Sequence, residues 1–379
     1  MALPDIAIAA LAAFLVSAIL CTMIVHATRR WPEKLTPRAD LLAVQAAHKR
    51  PAARLGGVAI LLGLAIGGMV LPASDSVRVL GLLGLSLIPV VLAGLAEDLG
   101  WMVSPRRRLA AAALSALFAL LLFRVWVWRI DLGPVDILFG IAALAIPITL
   151  IWSSAVCHAF NLIDGVNGLS SGVAALAALG LGALALLAGQ DSIAAIAWLL
   201  AAAILGFMVF NWPLGKVFLG DTGAYALGHV LTWLSILLLV RAPDLSVAAL
   251  LGLFFWPVAD TSLAIYRRWR AGRRLDQPDR LHFHQLVMRG LEIGFVGRGR
   301  RHVSNPLTTA LILPLVALGI IGHIALWQMP MAGYLLLVIQ VLLFFLIYGL
   351  GMRAFSQPRK RKLSGFGDDF TPRVMKRAG

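Results

Sequence analysis

The sequence predicts an all-α, polytopic membrane protein of about eleven transmembrane helices, and three observations predict it. The 379-residue chain is 60% hydrophobic and only 13% charged, whereas a soluble domain carries about 25% charged residues. Several uninterrupted apolar runs exceed the roughly 18 residues that cross hydrocarbon as a helix. These runs are continuous and not alternating, which excludes a β-barrel.

The runs lie near 4–26, 56–72, 79–96, 108–124, 135–156, 169–189, 192–210, 223–240, 245–266, 306–327 and 331–352. Each approaches hydrocarbon thickness at about 1.5 Å per residue. No basic region precedes the first run, and it is long enough to span, so it reads as a helix and not a signal peptide. Orientation follows from the basic residues. With the N-terminus outside, the external connections hold Arg78, Arg124, Arg129 and Arg241, and the other 29 of the 33 Lys and Arg face the cytosol with the C-terminus. That is the positive-inside arrangement. The formal net charge of +15 then reads as topological retention and attraction to anionic headgroups, with no nucleic acid as partner. Residues 1–352 are expected to form one membrane domain, and 353–379, containing Arg359-Lys360-Arg361-Lys362, a basic cytosolic tail. The two cysteines, Cys21 and Cys157, make no disulfide framework. No internal repeat of the kind found in many transporters is visible.

Five cytosolic connections each hold a compact polar motif, and their shared side is what points to one site. The first, His48-Lys49-Arg50-Pro51-Ala52-Ala53-Arg54-Leu55-Gly56-Gly57, sets cations before a glycine pair that opens a helix. Such a helix start suits phosphate, although for this motif alone retention charge plus a turn is the simpler explanation. The second is Glu97-Asp98, followed by Arg106-Arg107-Arg108. Adjacent carboxylates at a membrane edge serve a cation or a proton, or else contact water. The third, Asn161-Leu162-Ile163-Asp164-Gly165-Val166-Asn167-Gly168, offers hard oxygen ligands in a stretch that also reads as a turn. The fourth, Lys216-Val217-Phe218-Leu219-Gly220-Asp221-Thr222-Gly223, places a carboxylate between glycines just before a helix, where a metal meets little obstruction. Lys216 supplies a point charge for phosphate. The fifth, Asp279-Arg280-Leu281-His282-Phe283-His284, reads as an anion site among arginines or as an exposed histidine pair. Asp260 falls inside the ninth run, where an acid marks function or a paired structural site. His229 and His323 read as hydrogen-bonded core histidines.

In this order and on this side, the motifs resemble the polyprenyl-phosphate N-acetylhexosamine-1-phosphate transferase family. The likeness runs from about His48 to Arg289. Asn161, Asp164 and Gly165 match an Asn-x-x-Asp-Gly motif, and Lys216 with Gly220-Asp221-Thr222-Gly223 matches Lys-Val-Phe-x-Gly-Asp-x-Gly. Asp279-Arg280, His282 and His284 match a cytosolic histidine loop of the N-acetylglucosamine type. Glu97 stands where the family usually has Asp, Asn167 replaces a frequent Asp, and Gln285 replaces a common third histidine.

The resemblance implies transfer of an N-acetylhexosamine 1-phosphate from a UDP-sugar to undecaprenyl phosphate at a bacterial inner membrane. It implies Mg²⁺, or alternatively Mn²⁺, and leaves monomer and homodimer open. Glu97, Asp98, Asp164 and Asp221 form the expected catalytic set. Asp221 is the expected metal ligand, with Asp98 beside it to bind metal or to bind or deprotonate the lipid phosphate. Asn161 and Asn167 belong to the nucleotide side. Lys216, Arg280, His282 and His284 hold diphosphate, and His48, Lys49 and Arg54 add to substrate binding. A covalent aspartyl-phosphate route competes with direct attack. A transporter or flippase is the rival class, and it predicts ionisable residues paired near the membrane midplane instead of polar loops.

Overall fold

A computed structural model of the chain describes residues 3–35, 52–72, 75–272, 281–297 and 299–356. His48, Lys49, Arg280 and the tail from residue 357 lie outside these residues. Among the described residues the secondary structure is helical, apart from a single bridge between Ala53 and Val217. The main helices are α1 (Leu3–Arg30), α2 (Gly56–Val70), α3 (Asp75–Asp98), α4 (Pro105–Phe123), α5 (Ala142–Leu162), α6 (Leu169–Leu187) and α7 (Asp191–Asn211). They continue as α8 (Gly220–Arg241), α9 (Val247–Leu253), α10 (Phe255–Arg270), α11 (Phe283–Leu291), α12 (Arg301–Ala325) and α13 (Pro330–Ser356).

Among the described residues, eight helices are long and apolar enough to cross a membrane, or nine if α9 and α10 count as one broken span. The protein is thus a multi-pass membrane protein, and among the described residues fewer helices than the eleven expected runs meet the length and apolarity of a full span. Three segments account for the difference. α2 has 15 residues, about 22 Å of helix, short of the ~30 Å hydrocarbon core. α4 opens on Arg106, Arg107 and Arg108, so its apolar part is only 109–123. The run at 245–266 is bent by 72° between α9 and α10. Pro257 sits in the first turn of α10, where its missing N–H leaves no helical bond unmade. A boundary also moves: the fifth run continues to Leu162, so Asn161 rides on the last turn of a helix.

The bundle is arranged around α8. Residues 220–239 are all buried, and α8 packs against α2, α3, α4, α5, α6 and α7. A helix apolar on every side belongs in such an interior. Its polar residues are paired there: His229 Nε2 lies 2.9 Å from Ser86 Oγ on α3, and Trp233 Nε1 donates to Ser153 Oγ on α5 at 3.0 Å. Thr232 and Ser235 hydroxyls donate to carbonyls one turn back. The core reading of His229 holds, as it does for His323, whose Nε2 is 2.9 Å from Gln340 Oε1. The peripheral helices turn apolar side chains outward, such as Leu11, Leu15 and Ile19 on α1 and Leu335, Leu342 and Leu346 on α13. That is the surface a lipid phase requires.

Backbones touch where α8 begins. A Cβ on Gly57 of α2 would stand 2.2 Å from Gly223 N, and one on Gly94 of α3 would stand 2.6 Å from Thr222 N. Neither neighbour is a side chain that could rotate away. Gly57→Ala is therefore expected to lower the stability of the detergent-solubilised protein by about 1–3 kcal/mol, the usual cost of overpacking. Gly81→Ala, whose Cβ would meet nothing within 4 Å, is the control and should unfold no earlier than wild type in a thermal melt.

Candidate active site

The site lies at the end of the bundle where α8 begins. Gly220 adopts φ +76°, which L side chains rarely accept, and a Cβ there would stand 2.6 Å from an Asp98 oxygen. The preceding residue, Leu219, supplies no side-chain cap. The cap comes from α3: Asp98 Oδ1 accepts from Asp221 N at 2.8 Å, and Oδ2 accepts from Thr222 N at 2.9 Å and from Thr222 Oγ1 at 2.7 Å. A carboxylate at a helix N-terminus also meets the positive end of the helix dipole. Asp98 is buried and both its oxygens face α8. Its neighbour Glu97 accepts from Val103 N at 2.5 Å, closing the turn into α4.

Asp221, one residue into α8, is the meeting point. Its Oδ1 accepts from Asn161 Nδ2 of α5 at 3.0 Å, and its Oδ2 accepts from Arg108 Nη1 of α4. Arg108 starts from a fixed base, because Ser104 caps α4 and Pro105 follows it. Asp164 stands just past α5, where its N–H donates to Asn161 O at 3.3 Å. Part of its surface reaches solvent, yet burial pushes its carboxyl up to about 7; Arg54 opposes the shift, while Asp221 and Asp98 add to it.

The basic loop and the Lys216 loop are zipped together. Phe218 N donates to Ala53 O, and Gly56 and Gly57 N–H groups donate to the Phe218 and Leu219 carbonyls, each at 2.9 Å. This brings Arg54 to the site beside Gly220, and Lys216 is exposed at the rim. Asn211 ties a third loop in: its Oδ1 accepts from Gly168 N at 2.6 Å and its Nδ2 donates to Val217 O at 2.8 Å. Asn167 is anchored to α12, its N–H donating to Asn305 Oδ1 at 2.9 Å and its carbonyl accepting from Thr309 at 2.6 Å.

The histidine loop is not an exposed pair. His282 and His284 are buried and stack with ring centroids 5.6 Å apart. Asp260 holds the loop: Oδ2 is 3.1 Å from His282 Nδ1, and Oδ1 accepts from Phe283 N at 2.9 Å. His284 Nδ1 lies 3.7 Å from Asp260, beyond hydrogen-bond reach. His284 Nε2 would stand 2.3 Å from a Cβ on Gly165, so the histidine loop closes directly on the Asn-Asp-Gly loop. Burial holds the His284 imidazole below its ordinary 6.5, with Asp260 opposing.

Sequence reasoning missed two residues here. Arg108 was hidden in a run of three arginines that orientation alone explained. His158, one turn before Asn161, places Nδ1 3.1 Å from the Tyr225 hydroxyl; its position inside an apolar run concealed it. Among the described residues, no group of three or more His, Cys, Asp or Glu is gathered to hold a metal by itself.

Fold and site together define a multi-pass helical membrane protein with an acidic helix start ringed by cationic and amide groups at one end of its bundle. The model of glycosyl transferase family 4 matches residues 79–239. A probable undecaprenyl-phosphate N-acetylglucosaminyl 1-phosphate transferase of Bacillus subtilis is 28% identical over 73% of this chain and 76% of its own. A phospho-N-acetylmuramoyl-pentapeptide-transferase of Moorella thermoacetica is 31% identical over 61% and 74% of the two chains. A decaprenyl-phosphate N-acetylglucosaminephosphotransferase of Mycobacterium tuberculosis is 28% identical over 68% and 69%. The chain belongs to glycosyl transferase family 4.

Two outcomes follow for stability. Asp98→Asn turns an amide N–H₂ toward N–H donors, and is expected to cost about 1–3 kcal/mol, the penalty of buried unpaired donors. Asp221→Asn leaves the Arg108 guanidinium without its carboxylate in a mostly enclosed pair and should cost at least as much, since breaking a buried pair costs about 3–5 kcal/mol; thermal melts of the two variants compare them. Burial lowers the His284 pKa, so below about 6.5 the unfolded chain binds more proton than the folded one and stability falls as pH falls from that value. His284→Gln should flatten this part of the melting-temperature profile.

Proposed function

We propose that the protein transfers an N-acetylhexosamine 1-phosphate from a UDP-sugar to undecaprenyl phosphate, releasing UMP and starting a cell-surface glycan. The observation that carries this reading is the gathering of Arg108, Asn161 and Asp164 around Asp221 at one end of an apolar bundle. A lipid phosphate anchored in the bilayer and a water-soluble nucleotide sugar meet most directly at such a boundary. We place this end in the cytosol of a bacterial inner membrane, since the orientation with fewest external cations puts it there.

The reaction joins two polyanions. An oxygen of the lipid phosphate attacks the phosphorus bearing the sugar, the new P–O bond forms, and the bond to UMP breaks. A phosphate already ionised needs little base, so holding both anions close and in line is the main task. Arg54 and Lys216 supply fixed positive charge at the loops that carry them, which lowers repulsion before and during attack.

The residues fit a hard cation. Asp221, Asp164 and Asn161 offer oxygen ligands, and a guanidinium already seats positive charge on Asp221. Too few carboxylates surround the point to make a closed protein cage, which suits Mg²⁺ held by one or two carboxylates plus substrate phosphates. Bound there, Mg²⁺ would neutralise phosphate charge. Both Asp98 oxygens accept from the first residues of α8, so we assign it first the positioning of Asp221, ahead of proton abstraction or covalent attack. Asp260, through the histidine loop, braces Gly165 and so the placement of Asp164. A transporter reading is weaker: the buried histidines of the spans are paired with uncharged Ser86 and Gln340.

The test is UMP release by purified protein from UDP-N-acetylglucosamine and related donors, with undecaprenyl phosphate, with and without Mg²⁺. Release that requires both lipid and Mg²⁺, and that falls at least 100-fold in Asp221→Asn, is expected; removing a group that stabilises transition-state charge costs roughly 10²–10³. Full turnover in Asp221→Asn would overturn the site.

A further inference from the structure

The proposed reaction, on which this inference rests, calls for a hard cation at Asp221, yet both Asp221 oxygens are already engaged. Asn161 donates to one and Arg108 to the other. The ion pair is mostly enclosed, with side chains 18% and 11% exposed. Asp98 offers no substitute site, since its oxygens are taken by the Asp221 and Thr222 amides and the Thr222 hydroxyl. Each oxygen keeps a second lone pair, but a divalent ion on Asp221 Oδ2 would stand beside the Arg108 guanidinium, and the repulsion between the two cations sets them in competition for that carboxylate.

Arg108 is equipped to leave. Its backbone is fixed in the first turn of α4, whereas its side chain is long and flexible. Its Nε is buried without a hydrogen-bond partner, so Asp221 satisfies the guanidinium only in part. A guanidinium presents five donors in a planar fork that matches phosphate oxygens. Among the described residues, Asp221, Tyr225 and Glu97 act on it electrostatically, and Asp221 is the acid it pairs with directly.

We propose that Arg108 is an exchangeable counter-ion: it holds Asp221 in the ligand-free enzyme, yields that oxygen to the divalent ion, and passes to the diphosphate of the incoming nucleotide. It then serves as a phosphate-binding residue of the reaction. Metal and nucleotide consequently bind with positive cooperativity, because each makes room for the other at Arg108. Linkage requires the effect to be reciprocal.

The test reads metal binding directly. Free Mn²⁺ is measured by electron paramagnetic resonance in titrations of the full-length protein in detergent, with and without UDP-N-acetylglucosamine. Wild type should bind Mn²⁺ weakly alone and roughly 5- to 150-fold more tightly with nucleotide, the usual span of coupling between sites. Arg108→Gln should bind Mn²⁺ alone about as tightly as wild type does with nucleotide, and lose the coupling. Arg108→Lys keeps a competing charge and should bind Mn²⁺ alone as weakly as wild type, which separates charge from any folding defect. Equal Mn²⁺ affinity in wild type and Arg108→Gln without nucleotide, while wild type still releases UMP, would overturn the exchange alone. No Mn²⁺ binding and no UMP release by wild type would overturn the functional reading with it.

Discussion

Everything at the site depends on one carboxylate closing the start of a buried helix. The first N–H groups of any helix lack partners within it, and at the N-terminus of α8 burial keeps most water away. Asp98 meets two of them and the Thr222 hydroxyl. This fixes the rotation of α8 and hence the direction of Asp221. The backbone contacts at Gly57 and Gly94 allow α3 and α2 to approach closely enough for that carboxylate to reach. Packing and polar geometry are here the same constraint.

Around this fixed point the loops are joined in series. The strand-like pairing of 53–57 with 217–219 brings the basic segment to Asp221, and Asn211 links the Asn-Asp-Gly loop to the same segment. Asp260 then holds the histidine loop against Gly165. Most of these connections are hydrogen bonds to backbone, so they set positions more than they supply reactive groups. Among the described residues, the polar side chains gathered at the start of α8 are Asp221, Asp164, Asn161 and Arg108.

Much of this was legible in the sequence, for physical reasons. Continuous apolar runs leave a multi-pass helical protein as the outcome, and the sidedness of the polar motifs indicates that they share a site. What escaped was whatever depends on three-dimensional pairing. Asp98 and Asp221 look alike as acids beside helix ends, but only geometry separates a cap from a candidate ligand. Arg108 could not be told from Arg106 or Arg107 by composition. The bend at Phe254 was masked because hydropathy sees an unbroken run where the backbone turns by 72°. That the histidines are buried was hidden because Asp260, which holds His282, lies 22 residues away in sequence.

The bridge between Ala53 and Val217 joins residues separated by the six helices α2 to α7, and the histidine loop arrives later still. During synthesis Asp98 therefore enters the bilayer boundary well before the amides it will cap exist. The cap on α8, and with it the direction of Asp221, can form only once residues 220–222 have been made.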